Sequence, residues 1–143
     1  MKKVAATLSL SLLFILSCHK EPSTTLHYKA TSIDQRNTAD LKITIKQKKF
    51  TGDYIITYFD NKKDSGTVQG ELFGDTLKGR YDFISRDRSH FLKPIVFLKE
   101  KNDLKLGVGE LSYFMNIPFY LDHTIQFNDS LFQFRLYKTI IEK

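Results

Sequence analysis

Tryptophan is absent from this 143-residue chain, cysteine occurs once, at Cys18, and proline only three times. One cysteine excludes an internal disulfide framework and any zinc site built on cysteine pairs. His27, His90 and His123 fall at no metal-ligand spacing, and no HExxH motif occurs. There are serines but no GxSxG elbow, and no glycine-rich loop opens a helix to hold phosphate. Charge of one sign is not concentrated either. The 22 Lys and Arg against 16 Asp and Glu give +6, but Lys46, Lys48, Lys49, Lys62, Lys63, Lys99 and Lys101 are scattered over strand ends and turns. Nucleic-acid binding would need them gathered on one face. These absences lead to the expectation of a protein that is not an enzyme, uses no cofactor or metal and binds no nucleic acid.

Long apolar runs are also missing. Val4 to Leu16 carries no charge but falls short of the about 20 residues that cross a bilayer core as a helix. Preceded by Met1-Lys2-Lys3, the run has the form of a secretory signal. It ends in Ile15-Leu16-Ser17-Cys18, which resembles the bacterial lipobox: an aliphatic residue, a variable one and a small one before a cysteine. The resemblance implies cleavage after Ser17, diacylglycerol on the Cys18 sulfur and acylation of the new amine. Two or more chains hold a protein stably on a membrane, each buried methylene contributing about 0.8 kcal/mol. Removal of residues 1–17 takes Lys2 and Lys3 with it, leaving 20 basic against 16 acidic residues, or +4. That mild excess suits a domain held near anionic headgroups. The domain plan is a signal peptide over 1–17, a lipidated cysteine and polar tether over 18–25, and one β domain over 26–143.

What the mature chain has in quantity is period-two alternation, with 12 Phe and 7 Tyr to fill it. Leu41, Ile43 and Ile45 alternate with polar residues. So do Phe50, Gly52, Tyr54, Ile56 and Tyr58; Val68, Gly70 and Leu72; Leu77, Gly79, Tyr81 and Phe83; and Phe132, Phe134 and Leu136. This is the pattern of antiparallel strands with one wet face. "IVFL" (95–98) is apolar throughout and reads as a strand covered on both sides. Turns are marked by "QKK" (47–49), "FDNKKDSG" (59–66), "FGDT" (73–76), "EKND" (100–103) and "FNDS" (127–130). Three strands carry glycine in their apolar phase, at Gly52, Gly70 and Gly79, and "LGVGE" (106–110) adds two more. Glycine on a concave face lets a sheet coil. The fold class is therefore all-β: an antiparallel meander, closed as an up-and-down barrel or strongly rolled sheet of about eight strands, with a β-sandwich as the alternative. The crowded segment "LSYFMNIPFYLDH" (111–123), interrupted by Pro118, is expected as an irregular strand or a lid across one end.

"GDTLKGRYDFIS" (74–85), "VFLK" (96–99) and "GVGE" (107–110) together resemble the small uncharacterised lipoproteins of Bacteroidota. There a glycine-bearing hairpin of this form precedes a V-x-F-L-K strand and a Gly-Glu segment. The resemblance covers about residues 50–110. It implies an outer-membrane setting, periplasmic or surface-facing, and brings no catalytic residues. His19-Lys20-Glu21 resembles the tether motifs linked to surface export in that phylum.

Two functions fit. One is a membrane-anchored, non-catalytic binding or accessory module for a small apolar ligand or a partner protein of the envelope, since eight-stranded barrels hold one small ligand. Its candidate ligand-binding residues are Tyr54, Tyr81, Met115 and Phe119. The other is a purely structural or interaction lipoprotein with a solid core and Phe59, Phe73, Ile84 and Tyr137 as contact points. On the wet face, Asp53, Glu71 and Asp82 are expected to pair across strands with Lys78 and Arg80. Glu110, following Val108, is expected to point inward toward Arg80, Arg86 or a tyrosine hydroxyl.

Overall fold

A computed structural model describes residues 22–127 and 132–142. Cys18 and most of the turn expected at 127–130 lie outside them. The described chain is built of strands β1 (Ser23–Ser32), β2 (Thr38–Lys46), β3 (Lys49–Thr57), β4 (Lys63–Phe73), β5 (Thr76–Ile84), β6 (His90–Glu100) and β7 (Asp103–Val108). There follow the short strands β8 (Leu111–Phe114), β9 (Ile117–Tyr120) and β10 (Gln126–Phe127), and the long β11 (Phe132–Glu142). A single 3₁₀ turn, Asp122–Thr124, separates β9 from β10.

Strands β1 to β7 follow one another as antiparallel neighbours, and β11 closes the wall between β7 and β1. The result is a closed eight-stranded antiparallel barrel. The sandwich alternative is thereby set aside. Strand β10 is an extra piece, paired to Gly107 and Val108 beyond the stretch of β7 that β11 covers.

Alternation decides what goes inside. Tyr28, Leu41, Ile43, Phe50, Val68, Leu77, Phe97, Leu104 and Phe134 are fully enclosed. Each such side chain contributes about 1.5–3 kcal/mol relative to an exposed one. Gly70 of β4 stands opposite Gly79 of β5 in this inner phase. Strand β1 begins at Ser23, so the tether expected to reach residue 25 is shorter. Thr24 and Thr25 are β-branched, pair with Ile45 and Thr44, and Thr25 Oγ1 lies 2.9 Å from Thr44 Oγ1.

The segment 111–123 is neither an irregular strand nor a lid. It is a β-hairpin, β8–β9, turned at Met115 and Asn116, both at positive φ (48° and 63°) as a two-residue primed turn requires. It lies on the outer wall of the barrel and closes no end. Its Pro118 is buried, and beneath the hairpin so are the outward-facing Pro94 and Val96 of β6. That accounts for the uninterrupted apolar run at 95–98. Pro94 is tolerated because β7 pairs with β6 only from Val96 onward, leaving the backbone at Pro94 bonded on one side alone.

Candidate binding site at the barrel mouth

The centre of the barrel is plugged by aromatic rings. Tyr54 stands 4.8 Å from Tyr81 and 5.8 Å from Phe134, ring centre to ring centre, and Phe97 meets Phe134 edge-on at 5.4 Å. Tyr81 stacks on Phe83 at 4.3 Å. The Tyr81 hydroxyl donates to the Tyr54 carbonyl at 2.9 Å, so the plug is tied as well as packed.

On either side of the plug the two ends differ. The end formed by the β2–β3, β4–β5 and β6–β7 turns, where β1 begins and β11 finishes, is open. There the inward residues Leu26, Ile45, Leu72 and Leu136, with the enclosed Tyr28 beneath them, line a recess of about 430 Å³, with Lys99, Lys101 and Asn102 on its rim. The floor is apolar because these positions continue the inner phase of their strands beyond Phe134 and Leu77. Lys99 ends the inner phase of β6 and Lys101 belongs to the β6–β7 turn, and neither ammonium can turn inward without losing its hydration. Such a recess accepts an apolar body and places any acidic head against two ammonium groups. A larger recess, about 790 Å³, lies on the outer side of the β6–β7 turn between Asn102 and Arg135, but its floor is the polar outer phase of β7 and β11.

The other end is closed by a polar knot. Asp64, 9% exposed, continues the inner phase of β4 and accepts hydrogen bonds from the Tyr58 hydroxyl and the Arg86 backbone N–H, both at 2.7 Å. The Arg86 guanidinium lies over the Tyr58 ring, 4.4 Å from its centre. The inward carboxylate expected at Glu110 is found here, at Asp64. Glu110 is instead exposed. Its N–H donates to Thr124 Oγ1 at 2.8 Å and its carbonyl accepts from Leu121, which fixes the base of the hairpin outside the barrel.

The four expected ligand residues are not brought together. Tyr54 and Tyr81 are part of the plug. Met115 is 81% exposed at the hairpin tip, and Phe119 is on β9 outside the wall. Ile45, Leu72 and Leu136 belong to the apolar phases legible in the sequence, whereas Leu26 stands beside the expected tether and nothing local marks the lysines around the β6–β7 turn as a rim. Phe59, Phe73, Ile84 and Tyr137 are all exposed, as expected, but on separate parts of the surface. The wet-face pairs also differ. Lys78, opposite Glu71 in register, reaches Asp122 at 2.9 Å and so pins the 3₁₀ turn to the barrel, while Asp82 bonds His90. Among the described residues no three of His, Cys, Asp and Glu gather as a metal-binding group.

Burial pushes the Tyr28 phenol up to about 12, helped by the negative charge of Asp103. Desolvation and then the bond to Asp64 do the same for Tyr58, also to about 12. Tyr54 and Tyr81 are raised further, chiefly by burial. In the unfolded chain these phenols ionise near the ordinary tyrosine value of 10.0. The folded state therefore keeps protons that the unfolded state releases, and stability is full below pH 10 and lost as pH rises toward 12 and beyond. Urea midpoints followed by circular dichroism should be flat from pH 7 to about 9.5 and fall steeply above about pH 10. Tyr58→Phe should lessen the fall.

No family model, curated protein or solved structure matches this chain.

Proposed function

We propose that the chain is a membrane-anchored, non-catalytic binding module of the cell envelope that holds a small apolar ligand in the open mouth of its barrel. The observation that carries this reading is the pairing of an apolar floor, made by Leu26, Tyr28, Ile45, Leu72 and Leu136, with a cationic rim of Lys99 and Lys101. The recess, about 430 Å³, is within the size range of small-molecule sites. The Val4–Leu16 run, the Cys18 junction and the likeness to Bacteroidota lipoproteins support the anchor and an outer-membrane setting.

A second reading, a structural or interaction lipoprotein of the envelope, is favoured by the plugged centre and by the exposed aromatic hairpin. One experiment separates them. Protein is taken from the membranes of cells fed a labelled fatty acid, as the native chain, Cys18→Ala and Ile45→Trp, and is weighed intact by native mass spectrometry. Label on the native chain and none on Cys18→Ala is expected. A retained small mass on the native chain, lost when the Ile45→Trp indole fills the mouth, is expected too. A labelled protein with an empty mouth overturns the ligand and leaves the interaction reading. A free thiol at Cys18 overturns the anchor.

A further inference from the structure

We propose that the end of the barrel at which Ser23 begins β1 is a bilayer-docking face, and that hairpin β8–β9 is the part that enters the lipid. This docking rests on the anchored reading above and deepens it, since an anchor ties a domain to a membrane without choosing the surface turned toward it.

Position is the first support. The 22 residues that precede Ser23, with the apolar run and Cys18 among them, join the barrel at this end. Ser23 shares a shallow recess with Thr44, Lys46 and Lys49 of the β2–β3 hairpin. From Cys18 to Ser23 the chain spans at most about 3.3–3.6 Å per residue, so a lipid on Cys18 would keep this end close to the membrane plane. The exposed hairpin lies at the same level. Ile117 and Phe119 stand beside Lys49, Thr51, Glu71 and Arg80 around a recess of about 550 Å³. Lys49, Glu71 and Lys78 share one register row, at most two residues inside the turns of that end.

Chemistry is the second support. Leu111, Tyr113, Phe114, Met115, Ile117 and Phe119 are all exposed, within a stretch of nine residues. A soluble protein rarely leaves such a patch open to water. Phe73 in the β4–β5 turn and Ile141 near the end of β11 add exposed apolar groups at the same end. Exposed aromatic and aliphatic side chains beside lysine, as Ile117 and Phe119 stand beside Lys49, are the composition of a membrane interface. Lys46, Lys48 and Lys49 around the β2–β3 turn and Lys99 and Lys101 around the β6–β7 turn carry positive charge at this end, interrupted by Asp75 and Glu100. The apolar tip is therefore the principal contact. At the far end the exposed apolar residues are spread over three hairpins, Ile33 after β1, Phe59 after β3, and Ile84 and Phe91 in β5 and β6, whose turns also carry Asp34, Asp60 and Asp87.

The absence of tryptophan makes the test direct. Full-length lipidated Phe114→Trp, Tyr113→Trp and Phe59→Trp, each with a single indole, are reconstituted in vesicles of phosphatidylethanolamine and phosphatidylglycerol with plain or brominated acyl chains. All three should float with the vesicles. The indole at 114 or 113 should lose most of its emission in the brominated vesicles, and that at 59 almost none. Flotation with no more quenching at 113 and 114 than at 59 overturns the docking while leaving the anchor intact. Blue-shifted but unquenched emission at 114 means that protein, a second copy or another chain, covers the hairpin, and also overturns it. Failure to float removes the anchor and the docking together.

Discussion

Phe97→Ala should lower the unfolding free energy by about 3–5 kcal/mol. Phe97 has no exposed surface and stands at the middle of β6, with Phe134 and Tyr54 edge-on to it. Those two rings are themselves held by neighbours on β3, β5 and β11, so the void cannot collapse without disturbing the plug. A domain of this size has about 5–15 kcal/mol in total, and a chain with one cysteine has no internal cross-link to make up the loss. Urea unfolding followed by circular dichroism should show the midpoint fall by a large fraction. Phe59→Ala, on an exposed turn, should shift it by no more than about 0.5 kcal/mol. A loss of under 1 kcal/mol at Phe97 would mean that the barrel centre is loosely filled, and would reopen the case for a ligand there.

Gly70→Val should abolish the folded state altogether. A Cβ on Gly70 would lie 2.1 Å from the carbonyl oxygen of Lys78 and 2.5 Å from the Cα of Gly79. Both are backbone atoms, so no side chain can swing aside, and β4 and β5 would have to part at mid-sheet. The expected outcome is aggregation on expression, or a soluble chain without a cooperative transition. Gly74 is the contrast. It sits at φ +61° in the β4–β5 turn with nothing within 4 Å of a Cβ, so Gly74→Ala meets only the cost of a left-handed alanine, about 1–2 kcal/mol. A Gly70→Val protein that melts like the parent would mean that the strands do not coil tightly there.

The contrast between these sites shows what was readable in the residues. Period-two alternation assigns Phe50, Tyr54, Val68, Tyr81 and Phe134 to one face, and that face must be enclosed. Glycine in the same phase at 52, 70 and 79 announces curvature, since a flat sheet has no need of it. Closure itself depends on β11 pairing with β7, about thirty positions back, and with β1, a hundred or more positions back, relations that no local pattern encodes. The hairpin was hidden for a related reason. Residues 111–123 are apolar on both phases because one side meets Pro94 and Val96 of β6 and the other is exposed, and neither partner is near in sequence. Tyr54 and Tyr81 were thus grouped with Met115 and Phe119 by residue type, although a wall of backbone lies between them. Asp64 was concealed inside a turn-like "KKDSG". Counting back from Val68 and Gly66 places it on the inner face, where the Tyr58 hydroxyl and the Arg86 N–H meet it.

Tyr54, Phe97 and Phe134 divide the barrel across its middle, and the Tyr58–Asp64–Arg86 knot shuts its far end. The molecule is a cup and not a conduit. A ligand held at the mouth, as proposed, would therefore have to enter and leave over the same rim, through a single doorway.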